Sequence, residues 1–336
     1  MSGVPDTPGE RLFSMAVGCR VTQALYVVAK LGVADHLVAG SRRAAEVAER
    51  VGADPRSLFR LMRSLASQGV FTQDLSDRFG LTPVGKLLVT DHPESMRYVA
   101  IYMGEENYKA AGGLLHTVKT GETAFDHIYG QGHFDWMSTH PEASKTFNMF
   151  MAQSTRRYGR PLEEINLEGR HLIVDVGGGR GTLLAHILKK NPKLSGILYD
   201  LPQGCAEASP YLESEGVADR CKIVRGSFFD SVPSGGDVYF LSRILHDWPD
   251  EKARQILDNC RKAIATNGSL LIREAVIPEG DAPSPGKQVD LIMLYMLGGA
   301  ERTEPEWRRI LASSRFGLKS VTRTGAPFDL IEAGPV

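Results

Sequence analysis

Apolar positions along the first hundred residues recur at helical spacing. Ala24, Leu25, Val28 and Leu31 fall close to three or four apart, and Gly32 and Gly40 interrupt the run. Two short periodic stretches follow, 44–51 and 58–65, separated by Gly52-Ala-Asp-Pro55. That spacing predicts two helices joined by a tight turn, the outline of a helix-turn-helix. Val70-Phe-Thr and Arg78-Phe-Gly-Leu-Thr then read as two short strands around residues 74–77. Residues 1–100 are therefore expected to form a mostly helical, winged-helix-like domain. From about residue 93 to residue 158 the pattern is helical again and rich in Met, Tyr and His.

The period changes at Gly169. Short apolar runs at 172–176, 196–200, 222–225, 237–241 and 269–273 are separated by amphipathic stretches of helical period. Strands alternating with helices predict a parallel sheet covered on both faces, a doubly wound α/β domain with a Rossmann-like layout. The expected division falls at residue 100. Residues 101–336 then make the second domain, with a helical segment at 101–168 and the α/β fold at 169–336.

Composition adds exclusions. The chain has 336 residues, 42% of them apolar and 24% charged, which suits an ordinary globular protein of two domains. Lys plus Arg number 39 against 40 for Asp plus Glu, so no net charge draws it to nucleic acid or to an acidic membrane. Cys19, Cys205, Cys221 and Cys260 form no Cys-x-x-Cys pair, against a disulfide scaffold or a structural zinc site. Met1-Ser-Gly-Val-Pro-Asp lacks the basic start of a secretory signal, and apolar stretches such as 289–297 are too short to span a bilayer. The expectation is a cytoplasmic protein with no membrane and no nucleic-acid partner.

The first chemical signal is Asp175-Val-Gly-Gly-Gly-Arg-Gly181, at the end of a predicted strand and before a predicted helix. Glycines at such a turn let a ligand approach the backbone, and the helix start offers free N–H groups. The dinucleotide fingerprint fails, because counting from Gly177 and Gly179 puts Thr182 at its third glycine. A P-loop fails as well, for want of Gly-Lys-Ser/Thr. The remaining form suits a ligand without a pyrophosphate but with a charged amino-acid tail, such as S-adenosylmethionine. Asp200 ends the next predicted strand, where a carboxylate can accept both ribose hydroxyls. A tight strand-to-helix turn with no ligand is the other explanation of the glycines.

Five motifs occur in order: Asp175-Val-Gly-Gly-Gly-Arg-Gly, Tyr199-Asp-Leu-Pro, Gly226-Ser-Phe-Phe-Asp, Leu245-His-Asp-Trp and Gly299-Ala-Glu-Arg-Thr. Together they resemble the small-molecule O-methyltransferases typified by caffeic acid and isoflavone enzymes of plants. Bacterial relatives acting on anthracyclines, phenazines and mitomycins are the closer likeness, and it covers nearly the whole chain. The resemblance implies a class I methyltransferase domain behind an amino-terminal dimerisation domain, and hence a homodimer. It implies cofactor contacts at Asp175, Gly177, Gly179, Asp200, Leu201, Ser227, Phe228, Ser242 and Arg243. Ser227 and Ser242 depart from the plant pattern of Asp and Lys, so neither brings a charge.

Methyl transfer to a phenol requires removal of a proton whose pKa is about 10, so only about one molecule in a thousand is ionised at neutral pH. A placed imidazole supplies roughly 10² to 10⁴ in rate. His246 follows the strand at 237–241, at the sheet edge where open α/β folds bind ligands. The resemblance assigns its orientation to Glu274 and Glu301, and Asp247 is expected to cap the next helix. No ligand spacing suggests a metal, so the expected chemistry is metal-independent. The acceptor, an aromatic hydroxyl compound of secondary metabolism, is expected against Phe147, Met151, Asp290, Met293, Leu294 and Leu297. Leu12, Phe13, Met15 and Ala16 make an apolar stripe for a second subunit. Two other readings compete. One is a winged-helix DNA-binding regulator, against which 58–65 is too apolar for a recognition helix. The other keeps the cofactor for chemistry such as hydroxylation.

Overall fold

A computed structural model describes residues 7–158, 165–324 and 327–336. It divides into two units: residues up to 109 with 145–154, and residues 110–144 with 155–336. The single division expected at residue 100 differs from this for a packing reason. The helix Arg97–Gly104 runs so close to the helix Cys19–Lys30 that a Cβ on Gly104 would lie 2.2 Å from Tyr26 Cβ. Tyr102 stacks on Phe150 with centroids 4.4 Å apart, and Gln153 Oε1 accepts the Tyr98 N–H at 2.9 Å. Residues 101–109 and 145–154 thus join the amino-terminal unit.

In that unit the helix Ala44–Val51 ends at Gly52, whose φ of 67° is left-handed. Asp54 Oδ1 caps the helix Pro55–Ser67 by accepting the Ser57 N–H at 2.8 Å. Leu58, Met62 and Leu65 bury one face of this helix in a core shared with Val47, Ala48, Phe71 and Phe79. Strands β1 (Arg42–Arg43), β2 (Phe71–Gln73) and β3 (Arg78–Leu81) pair antiparallel in the order β1-β3-β2. The pattern predicts β2 and β3 but not β1, since two residues carry no period.

The amino-terminal stretch bears on the expectation about apolar segments. Pro8–Lys30, 23 residues with an 18-residue window of mean hydropathy 1.4, is by length and composition alone long and apolar enough to cross a membrane. Its second half is used in the core through Ala24, Val28 and Ala29, while Leu12, Phe13 and Met15 stand 65–69% exposed.

The second unit is built on β4 (Leu172–Val176), β5 (Ser195–Asp200), β6 (Cys221–Arg225), β7 (Val238–Ser242), β8 (Ser269–Glu274), β9 (Phe316–Thr322) and β10 (Asp329–Pro335). They form one sheet in the order β6-β5-β4-β7-β8-β10-β9. The first five are parallel, but β10 runs antiparallel to both β8 and β9, so the sheet is mixed rather than wholly parallel. Among the described residues no helix separates β9 from β10, and a register shift at Glu332/Ala333 breaks the alternation that would have marked the strand. Successive strand residues serve opposite faces. Val174, Val176, Tyr239, Leu241, Leu270 and Ile272 pack with the helices Asp250–Ala263 and Glu304–Ser313, whereas Ile173, Val238, Phe240 and Leu271 pack with Thr182–Lys190 and Ala208–Ser214. With both faces covered, the carboxyl ends of β4, β5, β7 and β8 remain as the place for chemistry.

Candidate active site

The turn after β4 needs its glycines. Gly177, Gly179 and Gly181 have φ of 75°, 58° and 86°, and a Cβ on Gly177 would meet Ile244 Cδ1 at 2.4 Å. Among the described residues nothing stands within 4 Å of the Cβ position at Gly179, so its backbone is open to them. Asp200, ending β5, accepts the Gly179 N–H through Oδ2 and the Leu201 N–H through Oδ1, both at 2.7 Å. Asp175 is 1% exposed, and its Oδ2 has no hydrogen-bond partner among the described residues. Burial pushes its carboxyl up to about 7, and the Asp200 charge adds to the shift. Burial also raises Asp200, against the two N–H groups it accepts.

Phe228 reaches the same turn: its Cε1 would lie 3.6 Å from a Cβ on Gly177. Ser227 Oγ accepts the Phe229 N–H at 3.2 Å, and Asn259 donates to the Phe228 and Phe229 carbonyls, fixing the loop. Leu201 is 36% exposed beside Asp200. Ser242, at the end of β7, accepts from Arg273 Nη1 at 3.2 Å, so the neighbouring strand supplies the cation that Ser242 lacks. Arg243 holds a φ of 57°, rare for a side-chain-bearing residue, and its guanidinium and that of Arg273 lie 5.2 and 5.0 Å from the Phe328 ring. Burial, followed by the Arg243 charge, lowers Arg273 to about 9.

Past Arg243 the chain turns through Leu245–Asp247, and the His246 imidazole is buried. Its Nδ1 lies 2.6 Å from Glu301 Oε1. Burial pushes the Glu301 carboxyl up to about 8, with Asp290 adding and Arg302 opposing. Glu274 behaves otherwise. Its Oε1 accepts the backbone N–H groups of Ile244, Leu245 and His246 at 3.1, 2.6 and 3.2 Å, so it clamps the turn rather than the ring. Asp247 does not cap the next helix, whose N-cap is Pro249 without a side-chain bond. Instead its Oδ1 lies 3.3 Å from His246 Nε2, and burial pushes its carboxyl up to about 7.

An O-methyltransferase domain family matches residues 112–317, and an O-methyltransferase dimerisation domain matches residues 13–91. The chain belongs to the S-adenosylmethionine-dependent O-methyltransferases. It is 43% identical to a phenazine O-methyltransferase of Lysobacter antibioticus, over 97% of this chain and 96% of that protein. It is 33% identical to aclacinomycin 10-hydroxylase of Streptomyces purpurascens, over 91% of this chain and 84% of that protein. Its fold matches that of NcsB1 from neocarzinostatin biosynthesis, solved with S-adenosylmethionine and 2-hydroxy-5-methyl naphthoic acid. That match has a TM-score of 0.83 and 32% identity, over 94% of this chain and 96% of the other.

The residues at the glycine turn fit this cofactor. An orphaned buried carboxylate oxygen, a second buried carboxylate and an open glycine backbone suit a ligand bearing ammonium and sulfonium charges. The methyltransferase also holds site residues that its sequence did not announce. Arg302, 3% exposed, donates to the carbonyls of Leu245 at 3.2 Å, Trp248 at 3.1 Å and Ala300 at 3.1 Å. The same guanidinium binds Asp250 through Nε and Nη2 at 3.0 and 2.8 Å. It therefore grips the His246 turn from both sides. Trp248 packs on Phe134, Phe228 and Phe229 at 5.5, 6.2 and 4.7 Å, an aromatic wall from the base turn to the cofactor loop.

The expected acceptor residues are divided between the two units. Asp290 Oδ1 accepts the Glu301 N–H at 2.8 Å, Met293 is buried, Leu294 is exposed and Leu297 half-buried. Phe147, 5.6 Å from Tyr102, and Met151 belong to the amino-terminal unit. Two groups of side chains bring metal-ligating atom types together. Among the described residues, His246, Glu274 and Glu301 hold ligand atoms within 4.8 Å of one another, as do His116, Glu122 and His127. The members of the first group lie too far apart in sequence for a spacing motif to show, whereas those of the second fall within twelve residues.

Proposed function

We infer that the enzyme methylates a phenolic hydroxyl of an aromatic secondary metabolite, with His246 as the general base. The cofactor, when bound, supplies an activated methyl group on sulfur. His246 Nε2 would take the phenol proton as the phenol oxygen accepts that methyl group and the sulfur leaves with its electron pair. The products are a methyl ether and S-adenosylhomocysteine. The observation that carries this reading is the 2.6 Å contact of His246 Nδ1 with buried Glu301. With Nδ1–H donated to a carboxylate, the lone pair stands on Nε2 and the imidazolium formed in the step is stabilised. A protonated Asp247, which burial favours, would donate to that lone pair in the resting enzyme and must give it up to the phenol. Relatives named for phenazine and naphthoic acid chemistry support a flat aromatic acceptor and a place in antibiotic tailoring.

The same proposal makes the enzyme a homodimer through residues 13–91, supported by the family match and by exposed Leu12, Phe13 and Met15. A cytoplasmic setting is supported by four free cysteines. Asp175, Gly177, Gly179, Asp200, Leu201, Ser227, Phe228, Ser242 and Arg243 are proposed to surround the cofactor. The test is His246→Ala, which should lower turnover by roughly 10² to 10⁴ while cofactor affinity from calorimetry stays near wild type. The loss should shrink for a phenol already ionised at assay pH. No loss on any phenol, or an unmethylated hydroxylated product, would end the proposal.

A further inference from the structure

The second unit carries a cluster with no part in the methyl-transfer site. The helices Leu114–Thr120 and Ala124–Tyr129 are joined by Gly121-Glu122-Thr123. Gly121, with a φ of 78°, closes the first helix, and Thr123 Oγ1 caps the second by accepting the Asp126 N–H at 3.1 Å. Thr120 Oγ1 donates to the His116 carbonyl at 2.9 Å and accepts the Glu122 N–H at 3.1 Å. Every bond of this corner has the effect of fixing where His116, Glu122 and His127 project.

These three side chains converge. His116 Nε2 lies 2.8 Å from Glu122 Oε2, and the His116 and His127 rings stack with centroids 3.8 Å apart at 12°. One ligand atom from each lies within 4.8 Å of the other two. We propose that this corner is a binding site for a divalent late transition metal such as Zn²⁺, held by His116, Glu122 and His127. Two imidazoles and one carboxylate suit zinc, nickel or copper rather than calcium or magnesium, which take oxygen ligands. Zinc bonds of about 2.0–2.2 Å place tetrahedral ligands roughly 3.4 Å apart, so closure needs shifts of about an ångström and a tilt of the stacked rings that turns both in-plane lone pairs to the ion, at side-chain ends that are partly exposed. Three protein ligands leave one position for water. The ion ties together two helices of seven and six residues, too short to be stable alone, which pack on the helix Pro285–Met296 carrying Asp290. Its role is a staple for that helical layer, and it takes no part in the reaction.

The experiment is calorimetric titration of the full-length, chelator-stripped enzyme with zinc chloride, beside His116→Ala/His127→Ala, Glu122→Gln and His246→Ala. The double variant, altered at exposed or half-exposed side chains, should still methylate in chelator, which checks its fold. Wild type should bind one ion per chain at this corner. The double variant should lose about 100-fold or more in affinity, beyond the roughly 10–100-fold that changes around a ligand cost. Glu122→Gln should weaken binding less, and His246→Ala should leave this ion in place. Zinc should raise the Tm of wild type and not of the double variant. Equal binding by wild type and double variant would overturn the proposal. So would loss of the ion in His246→Ala, which would put it on the other cluster.

Discussion

Glu301→Gln separates what the His246 partner does for catalysis from what it does for the fold. The substitution keeps the shape of the side chain and removes the charge facing His246 Nδ1 at 2.6 Å, where both side chains are at most 6% exposed. A hydrogen bond to a charged group contributes about 1.5–3 kcal/mol net, and each 1.36 kcal/mol is about tenfold in rate. The expected loss in kcat is therefore about 10- to 150-fold, with KM for the cofactor unchanged. Two unit charges about 4 Å apart at an effective dielectric of about 20 interact by about 4 kcal/mol, which caps the loss near 10³-fold.

Stability should move the other way. The Glu301 carboxyl stands at about 8 in the folded enzyme against an ordinary value of 4.5, raised first by burial. A raised carboxyl holds its proton more tightly in the folded than in the unfolded chain, so its contribution is favourable at low pH. That contribution is lost as pH climbs from about 4.5 to about 8. Above pH 8, Glu301→Gln should melt no lower than wild type, and higher if burial of the charge dominates. The assays are steady-state kinetics from pH 6 to 9.5 and thermal melts over the same range. Wild-type turnover should rise toward pH 8 as the carboxylate forms, and the variant should lack that rise. Unchanged kcat, or a variant that is both active and less stable at pH 9, would refute the reasoning.

Further outcomes follow from the same geometry. Asp175, raised to about 7 by burial, becomes a carboxylate as pH rises, so affinity for the cationic cofactor should increase from pH 6 to 8; Asp175→Asn should abolish that trend in calorimetry. Arg302→Met should strand the carbonyls of Leu245 and Trp248, costing about 1–3 kcal/mol each in denaturant melts, and should lower kcat more than cofactor affinity. Arg302→Lys keeps the charge but not the fork, so it should recover the pH profile better than the stability. Phe13→Asp, on a side chain 65% exposed, should leave the fold intact and give a monomer by light scattering.

The local devices of this enzyme are legible in the order of its residues. Glycines that must take positive φ, an acid at the end of β5, short apolar runs between helical runs and a histidine just beyond β7 are all properties of neighbouring residues. Each leaves a mark within a few positions, because turns and strand faces are set by the chain's own sterics. The antiparallel placing of β10, the grip of Arg302 and the burial of Asp247 left no such mark. Glu274 meets the His246 turn because β7 and β8 are adjacent with Ser242 opposite Arg273. That pairing sets its carboxylate beneath three backbone N–H groups instead of the ring expected from family likeness. Arg302 reaches Leu245 and Trp248 across more than fifty residues, and His116 meets His127 only because Gly121 turns the helix back. Sequence determined which elements form and where the ligand turn lies. Which polar groups face one another, and so which carboxyls are buried, was decided only when strand order and packing brought distant segments together and water was excluded between them.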